Sequence, residues 1–119
     1  MARPRNFEED TVLAQAAQLF AGLGYNGASI DDLLTATGLQ RGSLYKAFGS
    51  KRNLFEKVLA AALAPGWTGR PAAVDLLIVA LKELASEDAP IAALCRQAIL
   101  ESGTDTAQLL GARLLAHLD

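Results

Sequence analysis

Two apolar-periodic runs lie between Gly24 and Gly49, each about two helical turns long, with Gly38 as the break between them. A turn that tight needs a residue that accepts a positive φ, and glycine does so without strain. The first run opens at Ser29, a hydroxyl suited to capping a helix, with Asp31 and Asp32 in the first turn, where the dipole favours acids. Ile30, Leu33 and Leu34 are expected to face inward. The second run, Leu39 to Phe48, puts Leu44 and Phe48 on its buried side and is small or polar elsewhere. Upstream, Val12/Leu13, Ala16, Leu19/Phe20 and Leu23 recur at the spacing of one helical face, opened by Glu8, Glu9 and Asp10 and closed by Gly24. Downstream, Ser50 is the expected cap of a fourth helix carrying Leu54, Phe55, Val58, Leu59 and Ala62.

Pro65, Gly66, Gly69 and Pro71 crowd into the segment Ala64 to Pro71 and mark the one clear linker. Three further helices are expected after it: Ala72 to Ala85, Pro90 to Ser102 behind an Asp88 cap, and Asp105 to Leu118 with Ala107, Leu110, Leu114 and Leu118 in register. The run Leu76 to Leu81 is apolar on nearly every face, so it belongs in a core or at an interface. Alanine and leucine dominate, and no strand pattern appears. The expected architecture is all-α. A three-helix helix-turn-helix head, residues 1–49, is joined by a fourth helix, 50–64, to a shortened helical C-terminal domain, residues 72–119.

A hydrophobic content of 51% with 20% charged residues excludes a disordered tail. The longest uncharged apolar stretch, Val58 to Trp67, is interrupted by Pro65-Gly66 and is too short to span a bilayer. No export signal opens the chain, and a single cysteine excludes an internal disulfide, so a cytoplasmic protein is expected. Cys95 shares a stripe with Ile91, Leu94, Ala98 and Ile99 and reads as a small core residue. Trp67 reads as a packing anchor for the linker. His117, the one histidine, has none of the companions a metal site needs. No nucleophile, base and orienter can be assembled, so neither catalysis nor a cofactor or metal is expected.

The net charge of −2 conceals a division along the chain. Residues 1–58 hold seven Lys/Arg against six Asp/Glu, while residues 59–119 hold four against seven. Within the first half, Arg41, Lys46, Lys51, Arg52 and Lys57 face only Glu56, a local excess of four positive charges. A focused basic patch on an acidic body suits a nucleic-acid partner.

Two local rules are broken in that same stretch. Gly42 weakens the third helix by roughly 1 kcal/mol relative to alanine, which close approach to DNA would explain. Lys51 and Arg52 stand in the first turn of the fourth helix, where the dipole disfavours cations unless an anion such as phosphate binds there. Ser29 offers a hydroxyl and helix-start amides for a second phosphate. Two short helices on a tight turn are the arrangement that lets a helix enter a major groove, with Arg41 suited to guanine and Gln40 to adenine. The segment from Gln40 to Phe48 is the expected reading helix, with Tyr45 and Lys46 on or near its outer face.

The residues Phe7-x-x-Asp10, Ala16-x-x-Leu19-Phe20, Gly24-Tyr25-x-Gly27-x-Ser29-Ile30, Thr37-Gly38-Leu39, Gly42-Ser43-Leu44-Tyr45 and Phe48-x-Ser50-Lys51-x-x-Leu54-Phe55 resemble the DNA-binding head of the TetR family of transcriptional regulators. The resemblance covers roughly the first half of the chain. It implies double-stranded DNA as partner, with Ser29, Tyr45 and Lys51 on phosphates and Gln40, Arg41, Gly42, Ser43 and Lys46 toward bases or nearby backbone. Ala47 stands where many relatives carry a histidine. The resemblance also implies a sequence-specific regulator, usually a repressor, acting as a dimer and answering to a small-molecule inducer. The second half is shorter than that pattern, and the sequence stops where the family's dimerisation helices are expected to begin. The competing expectation is a truncated partner that modulates a full-length relative by hetero-association.

Overall fold

The computed structural model describes residues 8–119; Arg3 and Arg5 of the basic tail, and Phe7 of the first motif, lie outside the described residues. The chain forms α1 (Glu9–Leu23), α2 (Ile30–Thr37), α3 (Arg41–Phe48), α4 (Lys51–Ala62), α5 (Pro71–Glu83), α6 (Ala89–Ser102) and α7 (Thr106–Leu115). Short 3-10 turns at Trp67–Gly69 and Ala116–Leu118 complete it, and no strand occurs among the described residues. The architecture is all-α, as the sequence patterns require.

α1 buries Val12, Ala16 and Phe20, an i, i+4, i+8 stripe that packs on α2, α4 and α5. Phe20 meets Phe55 of α4 edge-on at 5.0 Å, and Tyr25 completes a three-ring cluster, 5.3 Å from Phe55. This cluster ties α1, the turn after it and α4 together. The core continues without a break through Trp67 and α5 to Ile91, Cys95 and Ala98 on α6. Cys95 is buried, and burial pushes its thiol up to about 11, so it stays protonated at neutral pH. Trp67 is buried inside the linker's 3-10 turn.

Gly38 ends α2 in the left-handed region, φ +74°, and its amide donates to the Leu34 carbonyl. That single residue turns the chain from α2 into α3. Ser29, Ser50 and Asp88 cap α2, α4 and α6 as expected, each accepting a backbone N–H from three residues on.

Several expectations need correction. Leu23 is 51% exposed: α1 ends at Gly24 and the chain turns away, leaving it uncovered. Ile30, Leu33 and Leu34 do face the core, Leu33 fully buried and the other two partly. α3 begins at Arg41 because Gln40 is extended, φ −82° and ψ 156°. α4 stops at Ala62 rather than 64, where Leu63 leaves helical geometry at φ −89° and ψ 17°. Pro71 starts α5 instead of closing the linker, a position where its missing N–H is harmless. The run Leu76 to Leu81 exposes only Leu81 appreciably, because α1, α4, α6 and α7 all pack on α5. The stripe expected on the last helix is rotated: Leu109 and Leu110 of α7 pack partly buried on the core, while Ala107 and Leu114, and Leu118 in the 3-10 turn that follows, are exposed. The Arg113–Asp75 pair, at 2.8 and 2.9 Å, fixes that rotation against α5.

Candidate nucleic-acid interface

α3 is two-sided. Leu44 and Phe48 are buried, Ser43 and Ala47 are half-buried, and Arg41, Gly42, Tyr45 and Lys46 are exposed. Gln40 is the N-cap and is exposed, but its side chain makes no capping bond, unlike Ser29 and Ser50 on the neighbouring helices. A methyl group built on Gly42 would meet nothing within 4 Å. Packing inside the chain therefore gives no reason for a glycine in the first turn of this helix.

Arg41 reaches back to Asp31 on α2, 2.6 Å away, with both side chains more than half exposed. Such a pair is worth about 0–1 kcal/mol, too little to keep the guanidinium from a better partner. At the start of α2, Ser29 and Asp32 form a reciprocal box. The Ser29 hydroxyl accepts from the Asp32 amide at 2.9 Å, and the Asp32 carboxylate accepts from the Ser29 amide at 3.0 Å. The Ser29 amide first, and the Ser29 side chain second, hold the Asp32 carboxyl below its usual range. The expectation of free helix-start amides at Ser29 is corrected accordingly: the Ser29 and Asp32 amides are each committed to the other residue's side chain.

Lys51, the first residue of α4, lays its Nζ over the Tyr25 ring, 4.4 Å from the centroid. Partial burial there lowers the pKa of its ammonium, against an opposing pull from Glu83. Arg52 departs from expectation. It forks onto Asp88 at the start of α6, with two bonds of 2.7 Å, and also bonds Glu56 one turn along α4. The same contact raises the Arg52 pKa and lowers that of Asp88. The unfavourable cation at this helix start is thus offset by carboxylates of the chain itself, so Arg52 gives no argument for a phosphate. Lys57 is likewise paired, with Glu9 at 3.1 Å.

The linear excess of positive charge is therefore smaller in space, because Asp31, Glu9 and Asp88 arrive from other helices. Among the described residues Lys46 and Lys51 make no ion pair, and they remain the cations of this face. Tyr25 and Asp88 were missing from the residues the sequence assigned to the DNA contact. Tyr25 was legible as part of the Gly24-Tyr25 motif; the partnership of Asp88 with a residue 36 positions away left no local signal. Among the described residues no helix is long and apolar enough to cross a membrane.

The family model for bacterial regulatory proteins of the tetR family matches residues 12–58, the stretch from α1 through most of α4. The HTH-type transcriptional regulator YezE of Bacillus subtilis is 44% identical over 55 residues, which cover 46% of this chain and 28% of that protein. The HTH-type transcriptional repressors ComR and BdcR of Escherichia coli are 42% and 39% identical over 57 residues, covering 48% of this chain and 27% and 29% of theirs. The matched segment thus spans less than a third of each curated relative. The helix-turn-helix head of this chain belongs to the TetR family of bacterial regulatory proteins.

Proposed function

We propose that this chain is a sequence-specific, double-stranded-DNA-binding transcriptional regulator, of repressor type, that inserts α3 into the major groove. Ser29, Tyr45 and Lys51 hold phosphates, and Gln40, Arg41, Gly42, Ser43 and Lys46 face bases or the adjacent backbone. The observation that carries this reading is the outer side of α3. Among the described residues the one ion pair of its polar and cationic side chains is the exposed Arg41–Asp31 bond, and a side chain at Gly42 would meet no neighbour within 4 Å. A side chain freed of internal duties, on a helix anchored by Leu44 and Phe48, is what base readout needs. The names of ComR and BdcR support the repressor role.

In this reading residues 1–49 are the reading head, the helix around 50–64 connects it, and residues 72–119 carry association or regulation. The protein works in the cytoplasm as a two-fold dimer, through the leucines that α6 and α7 leave exposed, Leu100, Leu114, Leu115 and Leu118. Those leucines equally favour the second reading, in which the partner is a longer relative. Selection from a random-sequence duplex pool, followed by titration of the enriched site across salt, tests the proposal. Enrichment should occur, and each phosphate neutralised should add about −0.9 to the slope of log affinity against log salt. No enrichment, or affinity indifferent to salt, would overturn it.

A further inference from the structure

The turn between α1 and α2 is held from behind by a residue from the other half of the chain. Glu83, the last residue of α5, accepts the Asn26 amide on Oε1 at 2.7 Å and the Tyr25 amide on Oε2 at 3.3 Å. Gly24 makes room for that carboxylate, since a Cβ there would lie 2.6 Å from Glu83 Oε2. The residues so gripped matter for what stands on either side of them. Tyr25 is the platform under Lys51, and Asn26 leads within three residues to Ser29. Five residues beyond Glu83, Asp88 grips Arg52, the neighbour of Lys51 on α4. The α5–α6 junction thus touches both supports of the proposed phosphate contacts.

We infer that Glu83 is a positioning residue for DNA binding: by fixing the Gly24-Tyr25-Asn26 turn it sets the height of the Tyr25–Lys51 pair and the place of Ser29 relative to the phosphate backbone. This inference rests on the DNA-binding reading above. The two bonds to the Glu83 carboxylate fix the place of the turn, while the aromatic cluster beneath ties that turn to α1 and α4. Contacts to phosphate, in contrast, fail when their supporting groups shift by a fraction of an ångström. Electrostatics alone predicts the opposite sign: removing a carboxylate beside a polyanion should strengthen binding.

The test uses the full chain, the duplex enriched by selection, and fluorescence anisotropy from 50 to 200 mM salt (roughly the range over which phosphate contacts dominate). Glu83→Ala should bind on the order of tenfold more weakly than the parent, with a salt slope about one unit shallower, under conditions where its far-ultraviolet circular dichroism matches the parent's. Glu83→Gln keeps an oxygen that can accept one amide and should recover part of the loss. In a Lys51→Ala background, Glu83→Ala should cost clearly less than in the parent, because one of the two contacts it positions is already gone. Parent-like or tighter binding by Glu83→Ala would overturn the inference, as would an undiminished loss in the Lys51→Ala background. Failure of the DNA-binding reading is distinguishable, since the parent protein would then show no binding curve, and the inference would fall with it.

Discussion

Arg41 and Lys51 carry the same charge into different chemistry. Arg41 stands in the first turn of α3 on an exchangeable pair with Asp31, and its planar fork suits two acceptors of a guanine edge. Lys51 is a point charge steadied by the Tyr25 ring. Arg41→Ala should therefore cost roughly 1–3 kcal/mol on the preferred site and relax sequence preference, while Lys51→Ala weakens all duplexes alike. Competition binding with the selected site and a scrambled duplex checks this, and equal loss of specificity in both variants would contradict it. At this scale the sequence was most readable where a residue acts on its own neighbourhood. Ser29, Ser50 and Gly38 do their work within four residues, so spacing alone exposed them. Arg52 was misread because its charge was counted along the chain, whereas Asp88 meets it only after α4 and α6 pack.

At the scale of elements, the first half was legible because its helices are short and bounded by glycines and caps. The second half was less so, because its apolar residues exceed what one face needs, and sequence cannot say which neighbour covers which side. α5 shows this: its continuous apolar run left core and interface both open, and four helices of the same chain enclose it. Leu114 and Leu118 fell on the stripe expected on the last helix but face outward, since Leu109, Leu110 and the Arg113–Asp75 pair set the rotation. The element-level prediction concerns α4. Phe55 is fully buried and touches both Phe20 and Tyr25, so Phe55→Ala should lower stability by about 3–5 kcal/mol. Urea unfolding followed by far-ultraviolet circular dichroism measures it. A loss under about 1 kcal/mol would mean that the ring cluster does not tie the helices together.

For the whole molecule, two properties follow from how the halves meet. The Asp88 carboxyl is held low mainly by its bond to Arg52, and also by the Ile91 amide. Its folded pKa therefore lies below the unfolded value of about 3.9, so its contribution is complete above that pH and is lost as pH falls through the folded value. Acid should erode stability below about pH 4, and Asp88→Asn should erode less over the same window. Equal acid sensitivity in urea midpoints taken at neutral and low pH would remove Asp88 from that account. The second property is the leucine surface of α6 and α7. Leu115 is 65% and Leu118 82% exposed, and replacing both by aspartate should convert a self-associating protein into a monomer in sedimentation at micromolar concentration. A parent that sediments as a monomer would move the association to a longer relative. The central claim, that α3 reads the major groove, is tested most directly by methylation interference on the selected duplex. Dimethyl sulfate marks guanine N7 in the major groove and adenine N3 in the minor groove. The account predicts that methylated guanines within the site abolish binding, and that Arg41→Ala loses this sensitivity at one of them. Interference confined to adenine N3, or absent altogether, would contradict it.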